Sequence, residues 1–255
     1  MSDWLVTRDD VRLDVRRWTP AGAGPTTVVV LVHGFGATKD DESVVAVAEN
    51  LAAAGHHVVS YTGRGHGASG GLCTLGDLEH HDVEAAVEEA RILGDRVVLV
   101  GTSMGAVAVL RHAATAEIDG VVTVSSPGEW RMPRTVQSGA AAMMTQLRFG
   151  RWLARRFLGV RLAAGWSGAT PPVELAASIG APHVIVHGTG DRFIRSSEAT
   201  RLHAAAAEPR RLVLVDGMGH AYMPESRPVV VEAVDWVLAH DPAPRRPPAP
   251  SDLPA

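Results

Sequence analysis

A serine hydroxyl becomes a useful nucleophile when a sharp backbone turn exposes it beside a base, and glycines on either side permit that turn. Two stretches of the chain fit G-x-S-x-G: Gly101-Thr102-Ser103-Met104-Gly105 and Gly67-Ala68-Ser69-Gly70-Gly71. In a chain with 26 glycines the pattern alone discriminates poorly. Context separates the two. Ser103 follows the buried-strand run VVLV without a gap and is followed by the helical AVAVLRHAA, which is the strand–turn–helix such a serine requires. Ser69 sits well past its strand in a glycine-dense run with no helix opening behind it. Ser103 is therefore the expected nucleophile. The helix behind it would aim its N-terminal N–H groups and positive dipole end at a developing oxyanion.

Around that turn the pattern of elements repeats. Trp4–Val6 and Val11–Trp18, joined by Thr7-Arg8-Asp9-Asp10, predict an antiparallel hairpin. TTVVVLV at Thr26–Val32 predicts a strand covered on both faces. Thr38 and Asp41 resemble a capping box opening a helix through about Ala54, stopped by Gly55. Further strands are predicted at His57–Tyr61, Arg96–Val100, Gly120–Ser125, His183–His187 and Arg211–Val215. Helices are predicted at Leu75–Leu93, Gly105–Thr115, Ser197–Ala207 and Pro228–Ala239. Such alternation implies an α/β fold with right-handed crossovers and a mostly parallel sheet. About fifty residues between Ser126 and Pro182 carry no strand pattern but hold Trp130, Trp152 and Trp166 with Met132, Met143 and Met144, which suggests an inserted helical cap. The proline-rich stretch 241–255 reads as a disordered tail.

Three segments in order, His33-Gly34-Phe35-Gly36, Gly63-Arg64-Gly65-His66-Gly67-Ala68-Ser69 and Gly101–Gly105, make the chain resemble a serine hydrolase of the α/β-hydrolase superfamily. The resemblance covers everything except the proline-rich tail and is nearest the capped serine aminopeptidase and monoacylglycerol-lipase-like branch. That branch often carries a second glycine after the serine turn, where this chain has Ala106. The resemblance implies the α/β-hydrolase fold: a twisted sheet of about eight strands, helices on both faces and an inserted cap. The divisions are a core over 1–128 and 181–240, a cap over 129–180 and the tail. The superfamily order of nucleophile, acid and histidine implies His220, in Gly217-Met218-Gly219-His220 after the run RRLVLV. For the acid it implies Asp191, after His183–His187 and a glycine-rich turn, with Asp216 and Glu129 as the other candidates. The oxyanion donors implied are the backbone N–H groups of Met104 and Phe35. His33 reads as structural, and His66 is assigned no chemistry.

Composition narrows the partners. The 24 Lys+Arg against 28 Asp+Glu give a net charge of −4, without the basic excess of a nucleic-acid binder. Cys73 is the single cysteine, so no intrachain disulfide forms. His56-His57 and His80-His81 are adjacent pairs that project apart, and no metal-ligand spacing or nucleotide-binding glycine pattern is present, so neither a metal nor a cofactor is expected. With no basic leader, and no apolar run long enough to cross a bilayer, a cytoplasmic protein without stable membrane insertion is expected. From Glu129 to Pro172 stand seven arginines (131, 134, 148, 151, 155, 156 and 161) and one acid, which reads as a solvated helix face, a basic rim for an anionic acyl thioester, or a membrane-surface contact. The expected partner is a small acyl ester or thioester. Ester hydrolysis leads. Its rivals are thioesterase or acyltransferase action by the same triad, peptidase action, and a non-catalytic receptor on the same fold.

Overall fold

The computed structural model describes residues 3–21, 27–129, 147–164 and 170–240. Its elements run β1 (Trp4–Val6), β2 (Arg12–Trp18), β3 (Thr27–Val32), α1 (Glu42–Ala53), β4 (His57–Tyr61), α2 (His80–Leu93), β5 (Arg96–Thr102), α3 (Met104–Ala113), β6 (Gly120–Val124), α4 (Arg148–Leu153), α5 (Pro172–Ala177), β7 (His183–Gly188), α6 (Ser196–Ala205), β8 (Arg210–Val215) and α7 (Ser226–His240). One π turn, Ala154–Leu158, prolongs α4.

All eight strands form one sheet in the order β1-β2-β4-β3-β5-β6-β7-β8. The β1–β2 and β2–β4 pairs are antiparallel and every other pair is parallel. The run TVVVLV in β3 is buried at every position, as a central strand covered on both faces must be. Alternate residues feed two cores. Val28 and Val30 face α2 and α3, while Val29 and Leu31 face α1 and α7. Burying one such side chain contributes about 1.5–3 kcal/mol, so the two packed faces are the main hold on the sheet.

Two helix starts differ from the sequence expectation by more than two residues. The helix expected from Leu75 begins at His80, because the Glu79 carboxylate accepts from Thr74 N (2.6 Å), Thr74 Oγ1 (2.6 Å) and Gly76 N (2.8 Å) and folds the preceding residues into a turn. Thr38 does not cap α1. Its N–H and hydroxyl donate to Asp41 Oδ1 within a turn, and Asp41 itself is the N-cap residue.

Within the long β6–β7 connection, Arg148–Leu158 and Pro172–Ala177 are helical. Residues 161–163 instead run extended against the β4–α2 connection: Arg161 N donates to Gly65 O (2.7 Å), Cys73 N to Arg161 O (2.8 Å) and Ala163 N to Cys73 O (2.9 Å). Trp130, Arg131, Met132, Arg134, Met143, Met144, Trp166 and the tail 241–255 lie outside the described residues. Among the described residues, no helix is long and apolar enough to cross a membrane.

Candidate active site

Parallel strands place all their carboxyl ends on one edge of the sheet, and the loops leaving that edge converge there. Ser103 leaves β5, Asp191 leaves β7 and His220 leaves β8. Strands lie about 4.8 Å apart, so the loop after β8 must reach back across roughly three strand spacings to meet β5. Its course is fixed by hydrogen bonds. Tyr222 Oη donates to Val32 O at the end of β3 (3.2 Å), and Ala221 N donates to Ser125 Oγ after β6 (3.2 Å).

The Ser103 backbone sits at φ 53, ψ −116, between β5 and the first turn of α3. That conformation costs a side-chain-bearing residue of the order of 1–3 kcal/mol and persists because the surroundings impose it. The flanking glycines are required by close approach. A Cβ on Gly101 would stand 2.5 Å from Gly105 O, and one on Gly105 would stand 2.4 Å from His33 O.

His220 Nε2 lies 3.0 Å from Ser103 Oγ, and His220 Nδ1 lies 2.7 Å from Asp191 Oδ2. An ionised carboxylate only accepts, so Nδ1 carries the proton and Nε2 is left to accept from the serine hydroxyl. Phe193 N (2.8 Å) and Ile194 N (2.9 Å) both donate to Asp191 Oδ1, which orients the carboxylate and leaves Oδ2 for the imidazole. Burial alone would raise the Asp191 carboxyl. The His220 hydrogen bond and charge, with the two backbone donors, bring it below the usual carboxylate range, so it stays ionised. His187 Nε2 donates to Ile194 O (2.9 Å) behind the same turn.

The other sequence candidates point elsewhere. Asp216 Oδ1 accepts from Thr189 Oγ1 (3.0 Å), and Glu129 pairs with Arg201 at 3.6 Å. Ser69 is buried. Its hydroxyl donates to Thr62 O (2.5 Å) and accepts from Asp14 N (3.0 Å), so it is spent on holding a loop.

Phe35 N–H and Met104 N–H donate to no protein acceptor among the described residues. Phe35 lines a cavity with Ser103, His220, Val44 and Tyr222, and Met104 directly follows Ser103 in the chain. Behind Phe35 lies a buried apolar cluster of Cys73, Met104 and Val160, on which Phe35, Leu75 and Leu162 pack. Cys73 Sγ is 3.5 Å from Met104 Sδ, and burial pushes its thiol well above the ordinary range, so it is inert.

The two histidines that sequence reasoning set aside hold the Phe35 turn. Gly63 N donates to His33 Nε2 (2.8 Å), so Nδ1 carries the proton and donates to Gly34 O (2.7 Å). Gly36 N donates to His66 Nε2 (3.2 Å), and His66 Nδ1 donates to Arg64 O (3.0 Å). Burial, reinforced by His66, pulls the His33 pKa down to about 3, so the ring stays neutral. Their presence in two glycine-rich segments after strands was the signal available. Arg161 is likewise committed: its guanidinium donates to Gly67 O (3.3 Å) and to Ser69 O, which removes it from any basic rim.

Comparison with known proteins agrees with this architecture. The model of the "Alpha/beta hydrolase family" matches residues 29–234. A monoacylglycerol lipase of Mycolicibacterium smegmatis is 26% identical over 279 residues, covering 90% of this chain and 94% of the lipase. Esterase EstD of Thermotoga maritima is 33% identical over 119 residues, 42% of this chain and 29% of that esterase. The first curated relatives are matched over only 18% to 29% of their own length. Among solved structures, the Pyrococcus furiosus esterase Pf2001 superposes with a TM-score of 0.72 at 22% identity, over 93% of this chain and 91% of that one.

Proposed function

The chain belongs to the alpha/beta hydrolase family, and on that footing we propose that it cleaves a carboxylic ester bearing a hydrophobic moiety through an acyl-enzyme intermediate on Ser103. The observation that carries this is the continuous relay from Ser103 Oγ through His220 to Asp191, at 3.0 Å and 2.7 Å. Ser103 Oγ attacks the ester carbonyl as His220 Nε2 takes its proton. Asp191 stabilises the imidazolium without accepting that proton. The unengaged N–H groups of Phe35 and Met104 bind the oxyanion. His220 then protonates the departing alkoxide, and a water activated by the same imidazole releases the acid.

The apolar side chains of Phe35, Ala37 and Val44 in the cavity lining support a hydrophobic acyl or alcohol group beside the reacting carbon. The esterase and monoacylglycerol lipase relatives support an ester bond as the target. We take residues 129–180 as the cap over this site and the cytoplasm as its place of action. Activity-based labelling with a fluorophosphonate tests the chemistry. Wild-type protein is expected to label at Ser103 and the Ser103→Ala variant to stay unlabelled. Folded wild type that fails to label would overturn the proposal, and a matched panel of oxygen esters and thioesters then defines the preferred acyl donor.

A further inference from the structure

Exposed apolar side chains are unevenly distributed over this molecule. Among the described residues, all the exposed large hydrophobics except Val6, Ile92 and Leu214 lie in connections that leave the carboxyl ends of β4, β6, β7 and β8. The densest group is Leu147–Leu158, where Phe149 (68% exposed), Trp152 (55%) and Phe157 (69%) stand in water. Phe149 and Trp152 stack with their centroids 5.7 Å apart, three residues apart on one side of α4.

Arginines interleave with these rings. Arg148, Arg155 and Arg156 are exposed, and the Arg156 guanidinium lies 5.3 Å from the Phe157 ring centre. Residues 147–164 contain five arginines and no acid, against a net charge of −4 for the whole chain. A solvated helix face would turn its aromatic rings inward. Here rings and guanidinium groups share the outward side, which is the composition of a helix that lies in the headgroup layer of a bilayer. The segment is also tethered to the reaction site. Val160, two residues beyond Leu158, is fully buried against Cys73 and Met104.

We propose that Leu147–Leu158 docks the protein on an anionic lipid surface, with the aromatic rings entering the headgroup boundary and the arginines pairing with lipid phosphates. Docking would bring the Met104 side of the site up to the membrane surface. This inference is independent of the ester chemistry, because it concerns where the protein sits and is read without turnover.

The test is co-sedimentation of the full chain with phosphatidylcholine vesicles containing about 30% phosphatidylglycerol, against pure phosphatidylcholine. The bound fraction is expected to be about tenfold higher on the anionic vesicles and to fall as salt is raised. The F149S/W152S/F157S variant should lose at least about tenfold in binding. The R148S/R155S/R156S variant should lose the preference for anionic lipid. Both variants are checked for native circular dichroism, and Ser103→Ala serves as a binding-competent control lacking the nucleophile. Equal, negligible binding of wild type to both vesicles would overturn the proposal. So would a wild-type dimer that the apolar triple variant converts to monomer with no change in lipid binding, since a second copy would then cover this face.

Discussion

His33 Nδ1 donates to the carbonyl oxygen of Gly34 at 2.7 Å, and that carbonyl shares its peptide plane with the N–H of Phe35. The peptide bond is trans, so fixing one end of the plane aims the other. A hydrogen bond to the carbonyl also polarises the N–H opposite it. The Phe35 N–H is thus oriented from behind by a buried imidazole. Replacing His33 by Phe should lower kcat about 10- to 100-fold while leaving KM within a factor of about two, the split expected when a transition-state donor is misaligned. Steady-state kinetics on a soluble ester check this, and a rise in KM alone would contradict it.

Ser103 and Ser69 share a sequence pattern but should separate in the laboratory. Ser103→Ala should reduce kcat by about four to six orders of magnitude. Ser69→Ala should keep its turnover per folded molecule and lose about 1–3 kcal/mol of stability, because Asp14 N–H and Thr62 C=O lose a buried partner. Urea denaturation and ester turnover measured on both variants test the division.

The backbone at Ser103 gives a second, opposite effect. Its φ of 53 is a region that glycine enters freely and alanine does not. Ser103→Gly should therefore be more stable than Ser103→Ala by about 1–2 kcal/mol, although both are inactive. Equal denaturation midpoints would show that the turn is unstrained.

Buried histidines make the fold acid-sensitive. Burial holds His33 at about 3, His183 at about 3 and His112 at about 4, all below the ordinary histidine value. Near pH 5 the unfolded chain binds these three protons and the folded chain does not, so stability falls as pH drops below about 6.5. Asp82 acts in the opposite sense. Burial raises it to about 7 against the pull of Arg64, so the folded state there holds a proton that the unfolded chain has lost. These four groups leave a difference of about two protons, and His56, His66, His80 and His187, also held low by burial, add to it, so stability is expected to fall by at least about 2.7 kcal/mol per pH unit around pH 5. Denaturant midpoints at several pH values measure it, and His183→Gln should remove about one proton from the slope.

What could be read from the sequence was whatever depended on neighbours along the chain. The strand–turn–helix at Ser103 is local, and VVLV followed by a glycine-flanked serine announces it. Asp191 and Asp216 both follow strands, and only the fold distinguishes them: two N–H groups turn Asp191 toward His220, while Thr189 occupies Asp216. The start of α2 at His80 was hidden because Glu79 binds three donors back along the chain, a turn that helical periodicity does not register. Arg161 looked like one of seven cap arginines. Its partners, Gly67 and Ser69, lie more than ninety residues away and leave no trace in local composition.

The relay spans 117 residues between Ser103 and His220 and 29 between Asp191 and His220. Its last member follows β8, which among the described residues is the edge strand and the latest strand in chain order. Until β8 docks on β7, Ser103 is an ordinary alcohol with no base beside it, however completely the central strands have formed. During synthesis Ser103 therefore lacks the His220 imidazole until the strand that leads to it has docked, and the relay closes only then. A truncation before Gly217 would keep the serine turn and remain chemically silent.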